Sequence, residues 1–220
     1  MEFNLVQVIA IYAIPVIFAI TLHEAAHGYV AKYFGDLTAW RLGRVSINPV
    51  RHVDLVGTIL VPLAILVASK LLGGGALLFG WAKPVPVNYH ALRNPKRDML
   101  WVAAAGPGAN LLMALAWAVL LKGSYVIAPN YFTVPLGLIA EAGIAVNVIL
   151  MVLNLLPILP LDGGRIAVSL LPDRMAMMYA RSEPFGLPIL LLLIFTNVLG
   201  AILSPMVQAS IGLIETIFAF

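Results

Sequence analysis

Two histidines and a glutamate near the end of a long apolar stretch are the residues best suited to chemistry. The stretch covers residues 3–30 and contains His23, Glu24 and His27 in the pattern His-Glu-Ala-Ala-His. On a helix, His23 and His27 lie one turn apart, so both imidazoles point the same way and can share one metal ion. Glu24 lies beside them and can take a proton from a water held at that metal.

The apolar surroundings of this pattern favour a functional role. Ionisable side chains inside a membrane-length apolar segment are costly, face the protein interior and usually mark function. The alternative is structural, with two interior histidines hydrogen-bonded to neighbouring helices and Glu24 as their partner. The functional interpretation is the favoured one.

A third metal ligand is needed, because a catalytic zinc site takes three protein ligands and leaves a fourth position for water. Asp162 is the favoured candidate. It follows the end of an apolar helix, in a Pro-Leu-Asp-Gly-Gly turn at 160–164 that can aim its carboxylate inward. In the alternative interpretation, Asp162 only caps the next helix.

Three further polar residues are candidates for auxiliary roles. Asn154 lies two turns before Asp162, and its amide could donate to an oxyanion, which contributes about 3–4 kcal/mol. It could equally form a helix–helix hydrogen bond worth about 0.6–2 kcal/mol. His52 and Asp54 lie at the entry to a second apolar stretch, where they could gate or cover the metal or bind a helix end.

Two other asparagines within apolar stretches are given structural roles. Asn110 is expected to satisfy the backbone that Pro107 opens. For Asn147 a helix–helix hydrogen bond is the favoured role.

The composition indicates a membrane protein. Of the 220 residues, 62% are hydrophobic and 10% are charged, whereas a soluble domain carries roughly 25% charged residues. The mean hydropathy is +1.00. Because a membrane helix needs about 20 apolar residues, the chain has room for five to six segments. The first apolar stretch lacks a basic flank and carries the site candidates at its end, so we expect a retained helix.

Charge and cysteine content exclude some functions. The net charge of +3 comes from basic residues in short loops, so no nucleic-acid partner is expected. The chain contains no cysteine, which excludes disulfides and thiolate metal sites.

The order of apolar stretches and breaks predicts an all-α polytopic membrane protein. A short membrane-associated β element is expected after the first helix, because apolar and polar residues alternate over 37–47 before an Asn-Pro stop. An irregular loop is the alternative there. The expected helical or membrane segments cover residues 4–34, 55–72, 98–121, 136–156 and 185–220.

A topology argument constrains these segments. If Asp162 is to meet the histidines, the first helix and the 136–156 helix must end on the same side, with the 98–121 helix antiparallel to both. Residues 36–97 then begin and end on one face, so the segment 55–80 should be re-entrant or lie along the interface. The last stretch, 185–220, is either one segment or two broken near Ser204-Pro205.

Basic residues predict the orientation. Eleven of the thirteen Lys and Arg residues lie in three ranges, 32–51, 83–97 and 165–181, that this topology puts on the side of the site. Cytoplasmic loops carry an excess of such residues. We therefore expect a multi-pass protein of the cell (inner or plasma) membrane, with its active site toward the cytoplasm.

Together these motifs resemble the site-2 protease family of intramembrane zinc metalloproteases. The resemblance rests on the His-Glu-Ala-Ala-His pattern, the Gly106-Pro107 helix and residues 154–164, Asn-Leu-Leu-Pro-Ile-Leu-Pro-Leu-Asp-Gly-Gly. Residues 48–54 and 80–88 are similar to the small prokaryotic branch without accessory domains. The similarity spans residues 20–186 and implies one membrane-embedded metalloprotease domain over 1–220.

The resemblance implies the residue roles. One Zn²⁺ per chain would be bound by His23, His27 and Asp162, with Glu24 as general base and Asn154 steadying the oxyanion. The β element after the first helix would pair with an unwound substrate strand. The partners would be a transmembrane protein substrate and the lipid bilayer.

The predicted function is hydrolysis of a peptide bond within or near the transmembrane segment of a membrane protein. A metal transporter is one alternative, but it should show repeated ligand sites along a path, whereas one cluster is present. A catalytically silent relative that binds membrane proteins is the other. Such a relative should lack a motif residue, and none is missing here.

Overall fold

The computed structural model describes residues 4–52, 54–60 and 83–220. Over these ranges the regular structure is helical, without a strand, so the all-α prediction is confirmed there. Short 3₁₀ turns occupy Pro49–His52 and Tyr89–Ala91, and a π-helical turn covers Leu55–Leu60. The α-helices of the described ranges are α1 (Leu5–Tyr33), α2 (Thr38–Arg41), α3 (Pro95–Val126), α4 (Thr133–Asn154), α5 (Asp162–Leu170), α6 (Asp173–Ala180), α7 (Glu183–Phe195) and α8 (Val198–Phe218).

Four of these helices, α1, α3, α4 and α8, are long and apolar enough to cross a membrane. Helices α6 and α7 form a pair bent by 60°, which makes a fifth span if they are counted together. Five to six membrane segments were predicted. The described residues contain four, or five if the bent pair is counted as one span. The predicted re-entrant segment at 55–80 lies mostly outside the described residues, which include only its first turn, Leu55–Leu60.

Helix α1 has the limits that its sequence predicts. The Asn4 side chain accepts a hydrogen bond from the Gln7 N–H, and the Gln7 side chain accepts one from the Asn4 N–H. Such a reciprocal pair satisfies donors that the first turn of a helix leaves free. The helix continues through Pro15 and ends before Gly35, whose φ of +107° favours glycine.

Helices α1, α3 and α4 form the centre of the fold, with α3 antiparallel to the other two. The Asn110 side chain, about halfway along α3, reaches the carbonyl of Ala19, and the carbonyl of Val102, nearer the start of α3, accepts from His27. Small residues allow the close approach of α3 and α4. A β-carbon at Gly143 would lie 2.4 Å from the Trp117 ring.

The predicted β element at 37–47 is wrong. Residues 38–41 form α2, and the following residues form turns. Asp36 Oδ1 accepts from the Thr38 N–H, which favours a helical start, and Gly43 has a φ of +63°. The arginine side chains of residues 44 and 51 bind main-chain carbonyls of this region. The backbone is therefore satisfied by turns and by side chains, and no partner strand is needed.

The C-terminal region contains two helices, and they do not meet near Ser204-Pro205. The break lies at Thr196-Asn197, where Asn197 takes a left-handed conformation with φ of 59°. Asparagine tolerates this conformation better than most residues. Pro205 lies inside α8. The predicted position of the break is therefore wrong.

Candidate metal centre

Three side chains converge where α1 meets the start of α5. The Nε2 atoms of His23 and His27 are 3.1 Å apart, and Asp162 Oδ2 lies 3.2 Å from the first and 3.3 Å from the second. All three residues are buried. Among the described residues, they form a group whose potential ligand atoms, one from each side chain, all lie within 4.8 Å of one another.

This triangle of donor atoms fits a tetrahedral zinc ion. Zinc bonds of about 2.0–2.2 Å at tetrahedral angles separate neighbouring ligand atoms by roughly 3.3–3.6 Å. Asp162 Oδ2 is buried and has no hydrogen-bond donor within the described structure. In its ionised form the Asp162 carboxylate can serve as an anionic ligand beside the two imidazoles.

Both imidazoles present Nε2 to the centre because Nδ1 is bound on the other side. His23 Nδ1 lies 2.6 Å from Asn110 Oδ1, and His27 Nδ1 lies 2.7 Å from the Val102 carbonyl oxygen. Both partners are acceptors, so each Nδ1 carries the hydrogen. Each Nε2 then keeps its lone pair for a metal.

The local sequence around Asp162 explains how its carboxylate reaches the histidines. Asp162 is the first residue of α5, after Leu161, and no side-chain cap bond is formed there. The ligand interpretation of Asp162 is therefore favoured over the helix-cap alternative. A β-carbon at Gly163 would lie 2.3 Å from the Leu155 carbonyl oxygen, and one at Gly164 would lie 2.6 Å from the Leu159 nitrogen. The two glycines thus let α5 press against the turn that follows α4.

Glu24 lies beside the triangle and lines the same cavity. This half-buried side chain accepts a 2.7 Å hydrogen bond from the Val85 N–H through Oε2. The cavity has a volume of about 820 Å³ and is lined by the three candidate ligands together with Glu24, His52 and Asn154. It is within the range of about 300–1,000 Å³ typical of ligand sites.

Two relatives are named as zinc metalloproteases. The chain is 36% identical over 211 residues to the Bacillus subtilis (strain 168) protein named "Putative zinc metalloprotease YwhC", covering 94% of this chain and 90% of the relative. The chain belongs to the site-2 protease family. It is also 29% identical over 188 residues to "Putative zinc metalloprotease Rip2" of Mycolicibacterium smegmatis (strain ATCC 700084 / mc(2)155), covering 83% of this chain and 65% of that relative. No family model matches the chain, and no solved structure matches it either.

In this member of the site-2 protease family, Asn154 is the last residue of α4. Its side-chain nitrogen donates to the Leu150 carbonyl of its own helix at 3.0 Å. One of its two N–H groups is thereby used. The residue also lines the cavity that contains the three candidate ligands.

His52 and Asp54 differ in their positions. His52 is buried and lines the cavity, and its Nε2 lies 2.7 Å from the Ser46 carbonyl oxygen. Asp54 Oδ1 accepts a 2.7 Å bond from the Gly57 N–H, at the first turn of the segment Leu55–Leu60. The structure thus places His52 at the cavity and gives Asp54 a helix-end contact, and the auxiliary roles of both stay predictions.

Two residues beside the centre are not predicted by the sequence. Gly106 was named only as part of the Gly106-Pro107 helix, but it faces the imidazoles, and a β-carbon there would lie 2.4 Å from His27 Nε2. Asn110 was assigned to the backbone near Pro107, but its side chain meets His23. In the sequence they are a glycine and an amide one turn apart in an apolar helix. That spacing does not indicate which residues they face.

Proposed function

We propose that this protein is a zinc-dependent intramembrane endopeptidase that hydrolyses a peptide bond within or near the transmembrane segment of a membrane protein. The observation that carries this proposal is the buried triangle of His23, His27 and Asp162, with Glu24 beside it at one cavity. One Zn²⁺ per chain fits the three donor atoms. The zinc metalloprotease names of the relatives support the same reaction class.

The chemistry assigned to the chain's own residues is general acid–base catalysis. When bound at this centre, zinc supplies a Lewis acid that polarises a carbonyl and lowers the pKa of water to about 7. Glu24 takes the proton of the attacking water and delivers it to the leaving amine. Its Oε2 accepts from the Val85 N–H, which leaves Oε1 for the proton transfer.

Asn154 is proposed to stabilise the oxyanion. One N–H of its amide is bound within α4, and the second, which has no acceptor among the described residues, would donate into the cavity. An oxyanion donor of this kind is worth about 3–4 kcal/mol in the transition state.

The depth of the ligands supports cleavage within the bilayer. His27 and His23 precede the end of α1 at Tyr33 by six and ten residues, which corresponds to about 9 and 15 Å along the helix. A substrate peptide bond at that depth would have to leave its helical hydrogen bonds before it could be attacked. The distribution of basic residues supports a position toward the cytoplasmic side of the cell membrane.

The decisive experiment compares wild type with Glu24→Gln in liposomes, using model transmembrane substrates and measuring bound zinc. Glu141→Gln is the matched control, because it makes the same change at an exposed site in α4. We expect one zinc in all three proteins and cleavage by wild type and Glu141→Gln alone. Equal cleavage by Glu24→Gln would overturn the mechanism.

The same experiment addresses the other functional classes. A wild-type protein without zinc would overturn the metal centre. Zinc binding without cleavage of any substrate would indicate a silent, binding relative. Zinc uptake into the liposomes would indicate a transporter.

A further inference from the structure

A chain of buried amide side chains links α4 and α3 to one of the candidate ligands. Asn147 and Asn110 are both fully buried, at 0% exposure. Asn147 Nδ2 donates to the Gly143 carbonyl at 2.8 Å, and Asn110 Nδ2 donates to Asn147 Oδ1 at 3.0 Å. Asn110 Nδ2 also donates to the Ala19 carbonyl at 3.3 Å, and Asn110 Oδ1 meets His23 Nδ1 at 2.6 Å.

The direction of this chain is fixed at its far end. A main-chain carbonyl can only accept a hydrogen bond, so the Gly143 carbonyl requires the amide nitrogen of Asn147 to face it. Asn147 Oδ1 is then the atom that faces Asn110, and it too can only accept. Asn110 must therefore present its nitrogen to Asn147 and Ala19, which leaves its oxygen for His23.

This direction determines the state of the imidazole. Because Asn110 Oδ1 accepts only, His23 must carry its hydrogen on Nδ1, and its Nε2 lone pair points at Asp162. We propose that Asn110 and Asn147 are positioning residues that hold His23 in the tautomer and rotamer that bind the metal, with Asn147 acting through Asn110. This inference rests on the proposed zinc site.

The two histidines differ in the group that binds their Nδ1 atoms. His27 is held by the Val102 carbonyl, which belongs to the main chain of α3. His23 is held by a side chain that is oriented in turn by α4. The orientation of His23 therefore depends on the packing of α1, α3 and α4 together, so the metal site is complete only when all three helices have assembled.

A purely structural role for the two asparagines predicts a different result from substitution. As helix–helix hydrogen bonds alone, they would affect stability without changing the metal. As positioning residues, they affect metal affinity and ligand geometry, since partners of ligating histidines typically contribute 10–100-fold in metal affinity.

The test measures zinc affinity against a competing chelator and the absorption spectrum of the Co²⁺-substituted protein. We expect about 10–100-fold weaker zinc binding and a shifted Co²⁺ spectrum for Asn110→Ala, and a smaller change in the same direction for Asn147→Ala. Val148→Ala is the control, because Val148 is equally buried in α4 and outside the amide chain. It should bind zinc like wild type.

A conservative variant separates orientation from packing. Asn147→Asp, in its protonated form, can donate its O–H to the Gly143 carbonyl and accept from Asn110, so both bonds persist. We expect it to recover wild-type zinc affinity relative to Asn147→Ala. If Asn110→Ala does not fold, the two variants of Asn147 decide the question.

The results that overturn the inference are distinct from those that overturn the proposed protease. Folded Asn110→Ala or Asn147→Ala with wild-type zinc affinity and Co²⁺ spectrum would remove the positioning role and leave the protease standing. If zinc binding is weakened in these variants but the wild type cleaves no substrate, the positioning role stands and the proposed protease is overturned. A wild type without zinc would remove both.

Discussion

The main-chain N–H of Val85 donates a 2.7 Å hydrogen bond to the carboxylate of Glu24. Val85 lies between Pro84 and Pro86, neither of which has an N–H, so it offers the one main-chain donor of this triplet. Gly28, one turn after Glu24, leaves the space in which Val85 packs. A segment distant in sequence therefore orients the proposed general base.

Gly28→Ala should displace this contact. The new β-carbon would lie 2.7 Å from Val45 Cγ2 and 3.2 Å from Val85 Cγ1. We expect bound zinc to be unchanged and kcat to fall by about 10–100-fold, because a displacement of about 1 Å can cost 100-fold in rate. Zinc content and cleavage rate, measured on the same preparation, check this.

Relief of the crowding provides the control. Val45→Ala removes the nearest atom, so Gly28→Ala combined with Val45→Ala should recover most of the lost rate. An unchanged cleavage rate, or a loss of zinc, in the single variant would contradict the proposed displacement of Val85.

Gly106→Ala should act on the metal itself. Its β-carbon would lie 2.4 Å from His27 Nε2 and 2.6 Å from His23 Cε1. It would therefore stand between α3 and the two imidazoles of α1. We expect zinc affinity to fall at least as far as on loss of a ligand's hydrogen-bond partner, about 10–100-fold or more. Equilibrium dialysis against buffered zinc measures the change.

Gly108→Ala is the matched control for this variant. It lies two residues away on α3, and a β-carbon there meets nothing within 4 Å. It should leave zinc binding unchanged and stabilise the helix by about 0.5–1 kcal/mol. Equal zinc affinity in the two variants would refute the position assigned to Gly106.

Zinc should stabilise the folded protein through Asp162. Ligand present at a free concentration 100 times its Kd stabilises a protein by about 2.7 kcal/mol. We therefore expect zinc to raise the Tm of the metal-free wild type. It should also raise the Tm of the control variant Asp173→Ala, because the Asp173 carboxylate pairs with Lys96 on the protein surface. Zinc should not raise the Tm of Asp162→Ala, and a wild-type shift in that variant would exclude Asp162 as a ligand.

The elements that the sequence predicts well are those set by local spacing. One helical turn separates His23 from His27, so their shared direction follows from any helix that contains them. The apolar lengths likewise predict the spans. What could not be predicted depends on the depth and rotation of α3 against α1, which place Gly106 and Asn110 against the imidazoles.

The fold differs from the sequence-based expectations in two regions, each for its own physical reason. Alternation over 37–47 is compatible with a strand, but the pattern does not reveal that arginine side chains bind the main-chain carbonyls there. Near the C-terminus, a break at Ser204-Pro205 was one of two alternatives, the other being a single segment. The break lies instead at Asn197, which takes a left-handed conformation.

Asn154 provides a test that separates its two sequence-based interpretations. Its amide donates to Leu150 of its own helix, rather than to a neighbouring helix. Asn154→Ala should therefore have little effect on stability and lower kcat by about 10²–10³, the loss typical of one oxyanion donor. Ser210→Ala, which also removes a bond to the carbonyl four residues earlier, is the control and should leave kcat unchanged. A lower Tm with an unchanged kcat in Asn154→Ala would instead identify a structural hydrogen bond.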